Sequence, residues 1–447
     1  MTMLNRRSFI KAGAASLSSL ALPPLIQANN KIPHFAPKAK NVIFLHMVGA
    51  PSHLDLFDYK PGLNKWHGKD APEELYKGKS FAFITGVPKM MASPYKFKQH
   101  GQSGQWMSEL LPNMSQVVDD MAFIRSVKTT EFNHAPAQLY FHTGLNRQGN
   151  PSIGSWLDYG LGSENKNLPG YVVMISGGVP GAGAQLWNNA FLPSIHQGVE
   201  FRSKGDPVLF LSDPKGMTRT HRKDIINDIN ALNQASYTKS NDPETLTRMA
   251  QYELAYRMQD SVPELTNLSN EPEHIQKMYG KGQFAKHCLQ ARRLVEKGVR
   301  FVELFDADWD HHSNIKANLP KKAKEVDQAI AALIMDLKQR GLLDETLIVW
   351  GAEFGRTPLA QGSGRDHHKD SFTTWMAGGG IKGGTSYGST DDLGYYVHEK
   401  PTEVRDIHAT IMHQLGLNHE KVSYKYMGLD QRLTGVEESH IIHDIIA

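Results

Sequence analysis

A chain of 447 residues has room for one large α/β domain or two smaller ones around a sizeable core. Its 49 Lys+Arg against 46 Asp+Glu leave a formal charge of +3, with no basic excess for nucleic acid and no acidic excess for a disordered tail. The single cysteine, Cys288, excludes an internal disulfide and a thiolate-rich metal site, so a bound metal would rest on His, Asp and Glu.

The chain opens with Asn5-Arg6-Arg7-Ser8-Phe9-Ile10-Lys11, a small and apolar run from Ala12 to Ile26, and Ile26-Gln27-Ala28 as a small-residue cleavage site. This resembles a twin-arginine export signal, whose R-R-x-F-[IL]-K core is rather specific. Gly13, four serines and Pro23-Pro24 make the run a poor membrane span. Residues 1–28 are therefore set apart as a signal peptide, with a mature protein from Asn29 that is periplasmic or extracellular and has no stable membrane span.

Val42–Val48 is an apolar run ended by Gly49-Ala50-Pro51, a buried strand whose exit loop carries Ser52, His53 and Asp55. Further strands are expected at Ala122–Val127 and Tyr171–Ile175. Between them, Gln138–Thr143 predicts a helix with His134 near its amino end, a natural anion site because the first N–H groups are unpaired. A surface His in a turn is the alternative. The polar, mostly helical stretch from about 205 to 281 reads as a cap or insertion.

A helix over Gln283–Lys297 is closed by Gly298 and followed by strand Val299–Leu304. The pattern then repeats: Asn318 is expected to cap a helix starting near Pro320, Gly341 closes it, and strand Thr346–Trp350 follows. Strand, crossover helix and strand predict two parallel neighbours whose exit loops leave the same sheet edge. Another strand is expected at Thr373–Ala377, and a helix capped by Thr402 with Ile407, Ile411 and Leu415 on one face.

Chemistry concentrates after these strands. Asp308-Trp309-Asp310-His311-His312, Glu353-Phe354-Gly355-Arg356 and Arg365-Asp366-His367-His368 combine imidazoles with carboxylates, the ligands that hold zinc, iron or manganese. Glu353 ends an apolar strand, where an unpaired carboxylate is costly to bury; it is a metal ligand or the partner of Arg356. Arg356 and Arg365 are candidates for bidentate contact with an anionic substrate or structural ion-pair donors. Asp310, His311, His312, Glu353, Asp366, His367, His368 and Asp55 form the candidate metal set, and His134, Arg356 and Arg365 the candidate catalytic set. The Gly378–Gly384 run lacks P-loop spacing.

Five segments, G-A-P-S-H-L-D-L-F-D at 49–58, H-A-P-A-Q-L-Y-F-H-T-G at 134–144, W-D-H-H at 309–312, W-G-A-E-F-G-R-T-P at 350–358 and G-R-D-H-H at 364–368, together with the leader, carry a resemblance. The chain is similar to the exported domain of unknown function 1501 family, within the alkaline phosphatase and sulfatase superfamily, over nearly its whole length. The resemblance implies an α/β fold: an alkaline phosphatase-like three-layer αβα sandwich with a mostly parallel central sheet, one domain over 29–447 with a helical insertion. It implies a divalent metal, whether zinc, manganese, calcium or iron, and a small-molecule or glycan anionic ester as substrate.

In that superfamily a strand-end Asp-His pair, a D-x-x-G-H-like loop and a late His bind metal. Glu353-Phe354 stands where the pair is expected, Asp310-His311-His312 resembles the loop, and His367-His368 the late His. The sulfatase nucleophile segment C-x-P-S-R lines up with His134-Ala135-Pro136-Ala137-Gln138, which puts a histidine at the nucleophile position. The expected function is exported, metal-dependent hydrolysis of sulfate or phosphate esters. The alternative is a catalytically inactive metal- or anion-binding envelope protein on the same fold.

Overall fold

The computed structural model describes residues 33–209 and 211–447. The twin-arginine leader and its cleavage site lie outside the described residues. Among these residues, no helix is long and apolar enough to cross a membrane.

The first twelve strands among the described residues, in chain order, are β1 (Asn41–Met47), β2 (Phe97–His100), β3 (Gln105–Ser108), β4 (Met121–Lys128), β5 (Tyr171–Ser176), β6 (Val199–Glu200), β7 (Phe301–Asp306), β8 (Thr346–Gly351), β9 (Gly355–Gln361), β10 (Gly364–His368), β11 (Phe372–Ala377) and β12 (Ser386–Tyr387). The central sheet has the order β12-β4-β11-β8-β1-β7-β5-β6, with Thr402–Glu403 also pairing β4. Its pairs are parallel except those of β11, which runs against β4 and β8.

β1 is buried at all seven residues, as expected of a central strand covered on both faces. Ile43, Leu45 and Met47 enter one core with residues of helices Gln283–Glu296 and Ile315–Gln339. Val42 and Phe44 enter the other, with helices His134–Thr143, Ile153–Leu161 and Val404–Gln414. The result is a mixed α/β, three-layer architecture with a mostly parallel sheet. Residues 205–281 include the paired helices Arg219–Ser240 and Pro243–Thr266.

Three local expectations need correction. β7 and β8 are parallel but not neighbours, because β1 is inserted between them and bonds both. The helix expected from Pro320 begins a turn earlier at Ile315, with Asn314 as N-cap, since buried Ile315 and Leu319 extend the apolar stripe through Ala323, Val326 and Ile330. The last helix is capped by Glu403 rather than Thr402, in a reciprocal capping box with Asp406, while Thr402 pairs with Val127 in the sheet.

This topology gathers the chemistry. β1, β4, β7 and β8 run the same way, so the segments after Met47, Lys128, Asp306 and Gly351 leave one sheet edge. β11 runs oppositely and starts at that edge, so the β9–β10 ribbon just before it arrives there too.

Candidate metal centre

Asp310 lies at the middle of a ring of basic groups. Its Oδ1 is 2.9 Å from His312 Nε2 and 3.3 Å from His367 Nε2, and its Oδ2 is 3.3 Å from His134 Nε2. Arg356 Nη2 also donates to Oδ1. Partial burial opposes ionisation, but these partners hold the Asp310 carboxyl far below the usual carboxylate range.

The three imidazoles share one arrangement. His134 Nδ1 is 2.7 Å from Glu353 Oε1, His367 Nδ1 is 2.7 Å from the Phe132 carbonyl, and His312 Nδ1 faces Gln361 Oε1. An oxygen acceptor at Nδ1 fixes that nitrogen as the N–H donor and directs the Nε2 side of each ring toward Asp310, the usual way an imidazole is prepared to ligate a metal. Donor atoms of His134, Asp310 and His367 lie within 4.8 Å of one another, and His312 Nε2 is 2.9 Å from His367 Nε2. Three imidazoles and a carboxylate match the donor set of zinc, manganese or iron.

Glu353 is fully buried. Its Oε1 accepts from Gly49 N–H at 2.9 Å, Gln138 Nε2 at 3.2 Å and His134 Nδ1, and Oε2 is 3.2 Å from His46 Nε2. Burial works against its charge; His134 and His46 outweigh burial and hold its pKa well down. Burial likewise opposes a charge on His134, yet hydrogen bonds to Asp310 and Glu353 raise its pKa to about 9. Glu353 thus orients His134 from behind. Gly49 is required at its position: φ is +106° and a Cβ would come within 2.6 Å of the Asp310 nitrogen.

Behind Glu353 a buried polar chain continues into the apolar core. His46 and His142 rings lie 4.5 Å apart, His142 Nδ1 is 2.8 Å from Glu303 Oε1, and the Tyr171 hydroxyl donates to Glu303 Oε2. Burial pushes Glu303 up to about 8 and His142 down to about 3, so both groups are neutral at pH 7. Sequence reasoning missed His46, His142, Glu303 and Gln138. The available signal was a carboxylate and an imidazole inside otherwise apolar strands, Phe301–Asp306 and Asn41–Met47.

Of the residues expected as metal ligands, Asp310, His312 and His367 converge, His134 joins them from the catalytic set, and Glu353 supports His134 from behind. The others do not join. Asp55 is fully buried against Arg365, with Oδ2 and Oδ1 at 2.7 and 3.1 Å from its Nε and Nη2, so neither is free for metal or substrate. Asp366 Oδ2 accepts from Phe83 and Ile84 N–H at 3.1 and 3.2 Å, pinning that loop. His368 is turned away from His367 by strand alternation and its Nε2 is 2.6 Å from the Tyr395 carbonyl. His311 contributes its carbonyl to the Arg365 N–H, and its buried ring is held below ordinary His values, near 4. Arg356, fully buried, spends its guanidinium on Asp310 and the carbonyls of Gly49, Ala50 and Arg365, which makes it an organiser of the loops rather than a free anion binder.

The family model "Protein of unknown function (DUF1501)" matches residues 39–446. The chain belongs to this family. No curated protein matches it. Among solved structures it is similar to the PsFucS1 sulfatase from Pseudoalteromonas sp. (13% identity, 93% of this chain and 73% of that one, TM-score 0.37). It is also similar to a protein in the alkaline phosphatase superfamily from Vibrio parahaemolyticus (10%, 94% and 78%, TM-score 0.35) and to the lipoteichoic acid synthase LtaP from Listeria monocytogenes (10%, 90% and 76%, TM-score 0.37). At these scores the likenesses carry no argument about chemistry, which has to come from the site itself.

Proposed function

We propose that the protein is a metal-dependent hydrolase of anionic esters, sulfate or phosphate, with His134, Asp310 and His367 as the metal ligands and His312 beside them. The observation that supports this most is the shared orientation of the three imidazoles, each tied through Nδ1 to an oxygen with Nε2 directed at Asp310. A bound divalent ion supplies Lewis acidity toward the ester oxygens and lowers the pKa of water.

The protein's own groups do the rest. Glu353 accepts the Nδ1–H of His134, so that Nε2, which faces Asp310, is the atom that would be offered to the ion. Arg356 keeps Asp310 ionised and fixes the Gly49 and Asp310 loops against each other. His312, with Nε2 at the cluster and its side chain 19% exposed, is placed to exchange a proton with the departing alcohol oxygen. Water adds to sulfur or phosphorus, the ester bond to the alcohol breaks, and that oxygen leaves with a proton. On this reading residues 1–28 are a twin-arginine leader, residues 29–447 are one domain with a helical insertion at about 205–281, and the protein works in the periplasm or outside the cell.

The test is metal analysis of the purified protein followed by a panel of sulfate, phosphate and phosphonate esters before and after chelation. Turnover of one ester class that disappears with the metal and returns on its restoration is expected. A fully metallated protein that turns over none of them would instead be an anion- or metal-binding protein.

A further inference from the structure

A second feature borders the centre. A cavity of about 390 Å³, within the range of small-molecule pockets, has Lys79, Phe81, Phe132, His367, Tyr395 and Tyr396 on its wall, together with the ion pair of Lys369 and Asp370. His367 belongs to both sites. Between them runs the segment that Asp366 pins at Phe83 and Ile84, and the Phe83 ring, 58% exposed, lies edge-on to His312 at 4.7 Å.

The informative group is Lys79. Its ammonium nitrogen is shielded from solvent and has no hydrogen-bond partner among the described residues, although it carries three donors. It lies 4.5 and 4.2 Å from the ring centres of Tyr395 and Tyr396, which offset part of its desolvation by cation–π attraction but accept no hydrogen bond of ordinary strength. Of the carboxylates around it, Glu74, Asp370 and Asp391, the last two are already engaged. Asp370 is 3.1 Å from Lys369 Nζ, and Asp391 accepts the backbone N–H groups of Leu393, Tyr395 and Tyr396. An ammonium with unused donors on a half-buried lysine, at a cavity that shares a histidine with the centre, is suited to an anionic acceptor brought by a ligand.

Resting on the hydrolase reading, we propose that this cavity is a substrate subsite for a second anionic group, held by Lys79, on a ring that packs against Phe81, Phe132 and Tyr396. The substrate class is then a polyanionic ring compound, such as a saccharide carrying two or more sulfate or phosphate groups, rather than a simple monoester.

The experiment compares binding of a disaccharide sulfated on both rings, on one ring, and on neither, by calorimetry, in the wild type and in Lys79→Met, with the ligand shown to be intact after each titration; a parallel series replaces sulfate by phosphate to separate the two sources of charge. The doubly substituted ligand should bind about ten- to a hundredfold more tightly than the singly substituted one. Lys79→Met should erase that preference while leaving the singly substituted affinity within about twofold, and Lys79→Arg should keep part of it. A preference absent from both series, or one that survives Lys79→Met, overturns the subsite. If the Lys79-dependent preference holds but the metal-loaded wild type turns over neither ester, the hydrolase reading fails and the subsite stands. Turnover without the preference removes the subsite and leaves the hydrolase reading standing.

Discussion

Asp55→Ala removes the carboxylate that pairs with Arg365 where both side chains are wholly buried. The pair is bidentate at 2.7 and 3.1 Å, and the guanidinium also donates from Nη1 to the Met91 and Thr357 carbonyls at 2.9 and 3.2 Å. Breaking a buried pair by removing one partner leaves an uncompensated charge and costs about 3–5 kcal/mol. Arg365→Met should cost at least as much, because it strands Asp55 and also takes donors from two carbonyls, at about 1–3 kcal/mol each where no replacement is found. The double variant should cost less than the sum of the two, by about 2–3 kcal/mol, since neither charge is then left alone. Urea denaturation of all four proteins, with metal per folded chain measured alongside, provides the assay. Strictly additive costs, or loss of metal from folded Asp55→Ala, would refute the assignment of this pair to structure.

Glu303→Gln should change the pH dependence of stability. The folded state keeps the Glu303 proton up to about pH 8 whereas the unfolded chain releases it near 4.5, so wild-type stability falls across that interval. Roughly three and a half pH units at about 1.4 kcal/mol each bound the effect at about 4–5 kcal/mol. His142, held neutral down to about 3, contributes the opposite slope up to about pH 6.5, so the wild-type loss appears mainly between pH 6.5 and 8 and should be missing in the variant; parallel curves would contradict this. Gly49→Ala should destabilise by about 2 kcal/mol and weaken metal binding, because the new Cβ meets the Asp310 backbone in a left-handed conformation; unchanged metal affinity by competition titration would count against it. Arg356→Lys cannot reproduce four separate contacts and should lower metal affinity about 10–100-fold, read by the same titration.

The sheet was largely legible because its strands are short apolar runs between turn residues: β5 and β8 start where expected, and β1, β4 and β11 begin one residue earlier. β7 runs from Phe301 rather than Val299, a shift that keeps Glu303 inside it. Strand order was not legible, since adjacency depends on which partner a buried edge finds, and β1 takes the place between β7 and β8 from far away in sequence. In the site, Asp310 and three of the histidines could be picked out by residue type and position. Their separation from His311, His368 and Asp366 could not, because adjacent strand residues face opposite ways and the β9–β10 ribbon, with a register shift between Arg365 and His367, decides which imidazole turns inward. Arg356 and Arg365 are ordinary anion-binding candidates in sequence; only the structure reveals carbonyls and carboxylates already occupying them.

That division within one dipeptide provides the sharpest test of the metal centre. His367 has Nε2 at Asp310, while His368, its neighbour, has Nε2 on the Tyr395 carbonyl. Metal affinity and stoichiometry should be measured per folded chain for the wild type, His367→Ala and His368→Ala. The wild type should hold about one ion per chain, His367→Ala should lose at least about tenfold in affinity, and folded His368→Ala should retain it. Equal loss in both variants, or a wild type that binds no divalent ion, would contradict the proposed centre.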